Sequence, residues 1–318
     1  MPVEIIAEIG INHNGDAGVA EQMVHSAHAA GADTIKLQHY HTDDLLSAGV
    51  DRSVAEQCEL TLTEIMYLIG VIEGLEMNCL ISVFDIEALR NIHALEMDRV
   101  KIPSGELNNL PLLAEAAESG MEIILSTGMS TLQEVRDAVD YLGATAPTIM
   151  HCTSAYPAPC HSLNLRTIKV LRKQYERVGY SDHSYGFMAA IAAVTLGVCC
   201  IEKHYTLDRS MVGPDHAASA SPTEFAQMVR YLRQVESMLG SYEKVVTDVE
   251  FEPRKLARKS VVSARTLKAG QTISAEDLTT KRPGTGIPAD EYYATIGRKL
   301  ARDVEANQVL REEDLCHM

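Results

Sequence analysis

Tryptophan is absent from the 318 residues, phenylalanine occurs four times, and aromatic residues make up only 5% of the chain. Aliphatic residues are ample, so the composition is that of an ordinary globular protein. Positive charge is also scarce. Against 44 Asp and Glu stand 28 Lys and Arg, a formal net charge of −16, which argues against nucleic-acid and membrane-surface partners, because both are polyanions. The opening Met1-Pro2-Val3-Glu4 has neither a basic segment nor an apolar run of signal-peptide length. The longest apolar stretch, Gly186 to Ile201, is shorter than the ~20 residues of a membrane span, and Gly197 divides it into a buried helix and a buried strand. Seven cysteines without C-x-x-C spacing indicate neither a disulfide framework nor a structural zinc site. These absences together predict a cytoplasmic protein. An anionic ligand in this acidic field requires a local basic pocket, so any inward-pointing Lys matters.

What is present is an alternation. From residue 4 to about residue 240, β-rich runs alternate with amphipathic helical patterns. The runs are Ile5–Ile11, Thr34–Tyr40, Cys79–Phe84, Arg99–Ser104, Glu122–Thr127, Thr148–Thr153, Arg177–Asp182 and Val198–Tyr205. Helical patterns include Val19–Ala30, Thr63–Ile72, Leu110–Glu118, Leu132–Leu142, Leu165–Tyr175, Phe187–Leu196 and Thr223–Leu239. Eight strand-helix units predict an α/β fold, a (β/α)8 TIM barrel, over residues 1–245. A doubly wound sheet is the competing architecture, and no G-x-G-x-x-G loop follows the first strand to support it. A polar segment, 246–259, reads as a linker or helical arm, and a small β-rich unit follows over 260–318. That unit carries a weak internal repeat, Leu267–Leu278 against Val304–Leu315, which predicts duplicated half-folds packed on each other.

In a barrel the reactive side chains come from the carboxyl ends of the strands. Polar residues gather at those ends: Glu8, Lys36 and Gln38, Ser82, Lys101 with Ser104 and Glu106, Ser126, Ser154 and Tyr156, Ser181 and His183, Glu202 and His204. Side chains two apart share a face of a strand, which groups Lys36 with Gln38, Ser181 with His183, and Glu202 with His204. One such residue is commonly structural, but polar tips on nearly every strand exceed what packing alone selects. Lys36 and Lys101 with Ser82, Ser104, Ser126 and Ser181 make a cradle for phosphate and carboxylate. His183 and His204 end adjacent strands and suit a divalent ion such as Mn²⁺, Zn²⁺, Fe²⁺ or Co²⁺. His13, His39, His151 and His216 compete as ligands on spacing alone.

These residues sit in ordered strings: Ala7–Asp16 (AEIGINHNGD), Gly31–Gln38 (GADTIKLQ), Lys101–Asn109 (KIPSGELNN), Leu125–Met129 (LSTGM), His151–Pro157 (HCTSAYP), Gly179–His183 (GYSDH), Ile201–Tyr205 (IEKHY), Gly213–His216 (GPDH) and Lys281–Gly286 (KRPGTG). Nine in order, spanning almost the whole chain, resemble the sialic acid synthase family, and the C-terminal unit resembles its antifreeze-like (SAF) domain. The resemblance implies a condensation of phosphoenolpyruvate with an N-acyl hexosamine, N-acetylmannosamine for the sialic acid (N-acetylneuraminate) enzymes. Synthases for legionaminate or pseudaminate, or for a 6-phosphorylated hexosamine, are the alternatives. Carried over string by string, His183 and His204 match the family's Mn²⁺ ligands. Lys36, Ser82, Lys101, Ser104, Ser126 and Ser181 match its phosphoenolpyruvate contacts. Gln38, Tyr156 and Asp215 fall where the sugar is held. Arg282 matches an arginine lent to the other subunit's sugar pocket in a domain-swapped homodimer. Glu8 and Glu106 are the candidates to orient or deprotonate the attacking water. Ser154 stands where the family often has Asn, and the stretch between Leu45 and Thr63 is shorter than in many members.

Overall fold

The computed structural model describes residues 2–143 and 146–317. The first strand, β1 (Glu4–Glu8), is stopped by a turn at Gly10, whose φ of 57° favours glycine. It is followed by β2 (Thr34–His39), β3 (Asn78–Val83), β4 (Arg99–Ile102), β5 (Glu122–Ser126), β6 (Thr148–Cys152), β7 (Val178–Asp182) and β8 (Cys200–His204). All eight pair in parallel with their sequence neighbours, and β8 closes onto β1. This is the (β/α)8 barrel expected from the alternation. Several strands are shorter than their apolar runs. β4 ends at Ile102 because Pro103 has no N–H to donate to the ladder.

A helix follows every strand, among them Ala17–Ala29, Leu62–Gly74, Leu132–Leu142 and Pro222–Leu239. Three begin with a reciprocal capping box, Thr61 with Glu64, Thr131 with Glu134, and Ser221 with Glu224. The hydroxyl half of each cap stabilises its helix by about 1 kcal/mol. The core lies between strands and helices, with Ile35, Leu37, Ile81 and Val100 facing outward from the barrel into a shell that includes Met23, Leu68 and Ile92. A separate, smaller layer of Ile6, Leu80, Ile124, Met150 and Cys200 fills the barrel interior. At the next inward position the side chains turn polar on seven of the eight strands, Cys152 of β6 being the exception. No helix among the described residues is long and apolar enough to cross a membrane.

The chain divides into two compact units, Met1–Gly240 and Ser241–Met318. In the second, a helix Phe251–Ala257 occupies the segment read as linker or helical arm, and β9 (Ser260–Ser263) pairs antiparallel with β10 (Leu278–Lys281). The repeat seen in the sequence is a structural repeat. Leu267 and Val304 exchange backbone hydrogen bonds at its centre. The bridges Ser263–Leu278 and Leu300–Leu315 occupy equivalent places, as do the ion pairs Arg265–Asp277 and Arg302–Asp314. The two halves share one small core of Val261, Leu267, Ile273, Leu278, Ile287, Leu300, Val304, Leu310 and Leu315.

Candidate active site

Above the apolar plug, Glu8, Lys36, Ser82, Lys101, Ser126, Ser181 and Glu202 project inward and form the floor of a cavity of about 390 Å³. Gln38, Ser104, Ser154, Tyr156, His183, His204 and Asp215 supply its wall. Gly128, in the turn after β5, allows that wall to close. A Cβ there would stand 2.1 Å from Ser154 Oγ and 3.0 Å from Ser104 Oγ.

The floor is organised around Glu202. One of its oxygens lies 2.7 Å from Lys101 Nζ and 3.0 Å from Lys36 Nζ, and the other accepts the Ser181 hydroxyl at 2.8 Å. Burial alone would raise the Glu202 carboxyl, but Lys101 and Lys36 outweigh it and hold the group ionised, well below the usual carboxylate range. Lys36 feels the same burial in the opposite sense. Glu202 and Glu8 overcome it and raise the ammonium above its usual value. Lys101 is lowered, because burial exceeds what Glu202 returns. Glu8 is fully buried, with Oε1 accepting from Gln38 at 2.7 Å and Oε2 3.4 Å from Lys36. Burial, with Glu202 adding to it, pushes the Glu8 carboxyl up to about 7 against the opposing pull of Lys36. The Ser82 hydroxyl is buried without a hydrogen-bond partner among the described residues, so a donor is left for a ligand.

His183 and His204 stand edge to face with ring centroids 5.4 Å apart, and the Tyr156 ring lies 4.2 Å from that of His183. Burial holds both imidazoles neutral, and for His204 the neighbouring His183 adds to the effect. The His183 ring is oriented by Nδ1, which donates to the Thr153 carbonyl at 2.8 Å. Its Nε2 therefore carries the lone pair. Ser181 Oγ is 3.2 Å away, but the single Ser181 hydrogen goes to the ionised Glu202, so that lone pair is unclaimed. His204 Nδ1 is buried without a hydrogen-bond partner among the described residues, with Asp215 Oδ2 3.5 Å away. Two neutral imidazoles with spare nitrogens and a nearby carboxylate fit a divalent ion.

A second set of metal-capable groups lies after β2 and β3. His41, Asp44 and Asp85 bring one ligand atom each within 4.8 Å of one another. Asp85 is the N-cap of the helix Ile86–Ala94, and its oxygens already accept from Ala88 N at 2.6 Å and His41 N at 2.8 Å. Its lone pairs are thus partly committed, unlike those of the histidine pair. Sequence spacing did not reveal this group, since its members come from two separate loops.

Most of the expected site residues meet in the one cavity. Ser104 does so with its hydroxyl engaged, accepting from Gly128 N at 2.9 Å and lying 3.2 Å from Cys152 Sγ. Glu106 is not among the cavity-lining residues. It sits in the single turn Ser104–Glu106, where its carboxylate accepts from Asn109 at 2.7 Å. Arg282 belongs to the second unit, directly after β10. Three of the competing ligands have other roles: His151 meets the Leu163 carbonyl at 2.7 Å, His216 meets Thr206 Oγ1 at 2.7 Å, and His13 accepts from Gly15 N; His39, 3.3 Å from the Asn91 amide, does not line the cavity. The unassigned residue that the geometry adds is Glu202. Its two-residue spacing from His204 placed it on the correct face.

Residues 23–244 match the NeuB family model and residues 258–315 the SAF domain model. The chain belongs to the NeuB family. It is 39% identical, over 99% of its length, to an uncharacterized protein of Methanocaldococcus jannaschii, of which it covers 95%. It is 37% identical, over 99% of its length, to the N,N'-diacetyllegionaminic acid synthase of Legionella pneumophila, again covering 95%. The N-acetylneuraminic acid (sialic acid) synthetase structure from Leptospira borgpetersenii is similar at a TM-score of 0.75 and 33% identity, over 80% of this chain and 90% of that one. Within this NeuB-family barrel the paired lysines, the bridging carboxylate and the two imidazoles occupy one cavity at the carboxyl ends of the strands.

Proposed function

We propose that the protein condenses phosphoenolpyruvate with N-acetylmannosamine to form N-acetylneuraminate and inorganic phosphate. The observation that carries this reading is the Lys36–Glu202–Lys101 bridge buried beside the His183/His204 pair. It joins an anion site to a metal-competent site in one cavity. The lining offers two Lys and no Arg, all of its positive charge lying at the floor. The 6-phosphate of the hexosamine is the competing substrate, since Arg282 of the partner subunit would add a positive charge at the sugar. A second reading, the diacetamido sugar that leads to legionaminate, is supported by the 37% identity with the Legionella enzyme. Pseudaminate synthesis is the third reading, with 31% identity to the pseudaminic acid synthase of Campylobacter jejuni.

In this reading Lys36 and Lys101 bind the phosphate and carboxylate, with Ser82, Ser104, Ser126 and Ser181 around them. Gln38, Tyr156 and Asp215 hold the open-chain sugar with its aldehyde toward C3 of phosphoenolpyruvate. His183 and His204 would hold a divalent metal, Mn²⁺ in this reading, which when bound would supply Lewis-acid polarisation of the aldehyde. The C3–aldehyde carbon bond forms and leaves C2 electron-poor. Glu8, poised near neutrality, takes a proton from the water whose oxygen bonds to C2. Glu106 is the alternative base, and its place outside the cavity lining favours Glu8. The bond from C2 to the bridging phosphate oxygen then breaks and its electron pair leaves with phosphate, while the new C2 hydroxyl loses its proton as the ketone forms and the former aldehyde oxygen gains one; the lysines stabilise the departing charge. Arg282 of the partner subunit reaches the sugar in a domain-swapped homodimer. The free cysteines among the described residues fit the reducing cytoplasm.

The test is a comparison of kcat/KM across N-acetylmannosamine, its 6-phosphate and 2,4-diacetamido hexoses, with products identified by mass. A preference for N-acetylmannosamine supports the first reading, and a diacetamido preference replaces it with the second. Turnover of none of them contradicts both.

A further inference from the structure

β7 ends at Asp182, so His183 lies beyond the barrel ladder. His204, by contrast, is the last residue of β8 and pairs with Glu8 of β1. Two hydrogen bonds to backbone groups hold His183 itself: Nδ1 to the Thr153 carbonyl at 2.8 Å, and its own carbonyl from Ala158 N at 2.9 Å. Both run toward the segment after β6. Neither ties the His183 backbone to the strand that carries the second imidazole.

The residue before His204 makes that connection. Lys203 reaches across from β8, and Nζ donates to Asp182 Oδ2 at 3.0 Å and to the Ser184 carbonyl. Asp182 Oδ1 accepts the Ser184 N–H at 2.9 Å and its hydroxyl at 2.6 Å. One ammonium thus grips the residues on both sides of His183. Asp182, Ser184 and Lys203 are each at most 2% exposed. They alternate with the inward-facing Ser181 and Glu202, so they act from behind the cavity wall. An ion pair this deeply buried is no better for stability than an apolar pair of the same size. What it adds is direction: Lys203 has three donors on a long stem, and they meet acceptors on two residues of one turn.

We propose that the Asp182–Lys203 ion pair is a positioning device that sets the His183 imidazole against that of His204 for a divalent cation. The proposal rests on the metal role given to the two histidines above. Partners one layer behind metal ligands commonly govern affinity by about 10–100-fold.

The experiment is a Mn²⁺ titration of the full-length protein read by electron paramagnetic resonance, without substrate turnover. It compares wild type, His204→Ala as the control lacking a ligand, Lys203→Met, and the double variant Asp182→Asn/Lys203→Met. The double variant removes the unpaired buried carboxylate that Lys203→Met leaves behind. Phosphoenolpyruvate affinity in the absence of metal and thermal unfolding are measured alongside. Expected is a rise of about 10–100-fold in the Mn²⁺ Kd for both Lys203 variants. The double variant regains thermal stability without regaining Mn²⁺ affinity, and phosphoenolpyruvate affinity stays within about twofold of wild type in both. A folded double variant that binds Mn²⁺ as wild type does overturns the positioning role while leaving the proposed function intact. Parallel loss of Mn²⁺ and phosphoenolpyruvate affinity also overturns it, because the ion pair then serves the whole barrel. Absence of Mn²⁺ binding in wild type removes the metal reading and this inference together.

Discussion

The Lys101 ammonium lies 2.7 Å from the Glu202 carboxylate, both almost wholly buried at the cavity floor, and Lys36 meets the same oxygen at 3.0 Å. The carboxylate therefore holds two like charges together at the place where the proposed substrate brings its own negative charge. Glu202→Gln leaves the two ammonium groups short of a counter-charge. The expected loss of stability is about 3–5 kcal/mol. Inorganic phosphate should recover part of it, raising the Tm of the variant more than that of wild type. Differential scanning fluorimetry with and without phosphate measures this, and equal phosphate shifts would argue against an anion site between the lysines.

Glu8 predicts a pH dependence. Its carboxyl titrates at about 7 rather than at its ordinary value of 4.5, burial being the main cause. As a base it must be ionised, so kcat/KM should rise about tenfold per pH unit below about 7 and level off above. Glu8→Gln should remove that limb together with most of the rate. Stability runs in the opposite sense. The folded state binds this proton more tightly than the unfolded chain, so the contribution is full below the ordinary value and is lost as pH rises through about 7. The Gln variant should therefore lose less stability than wild type between about pH 5 and about pH 9 in chemical denaturation.

The barrel was legible because its strands are short apolar runs set between helices of 3.6-residue period; most runs extend a residue or two past the observed strand, and Pro103 and Gly10 mark two of those stops. The lysines, serines and histidines were legible as strand-end residues. The bridging by Glu202 was not, because it depends on barrel closure, which brings side chains of β2, β4, β7 and β8 to one point. Glu106 shows the limit of the strand-end rule. Pro103 turns the chain away, and the carboxylate pairs with Asn109 in the following turn. The grip of Lys203 on the His183 turn was also hidden, since its two acceptors become neighbours only through strand pairing.

Arg282 of the partner subunit carries the proposed sugar contact. Arg282→Ala should raise the KM for the hexosamine by about tenfold, the cost of one charge-assisted hydrogen bond, and leave the KM for phosphoenolpyruvate nearly unchanged. Steady-state kinetics with each substrate varied in turn measures this. Equal loss for both substrates would contradict a sugar contact by Arg282.

In the proposed reaction phosphate leaves by C–O cleavage after carbon–carbon bond formation at the Lys36–Glu202–Lys101 floor. Phosphoenolpyruvate labelled with ¹⁸O in the bridging position, incubated with the protein, Mn²⁺ and N-acyl hexosamines, tests it most directly. Expected is phosphate release that depends on the hexosamine, with the label recovered in the phosphate and a nine-carbon 2-keto acid formed alongside. Release without a hexosamine, or label retained in the organic product, would contradict it.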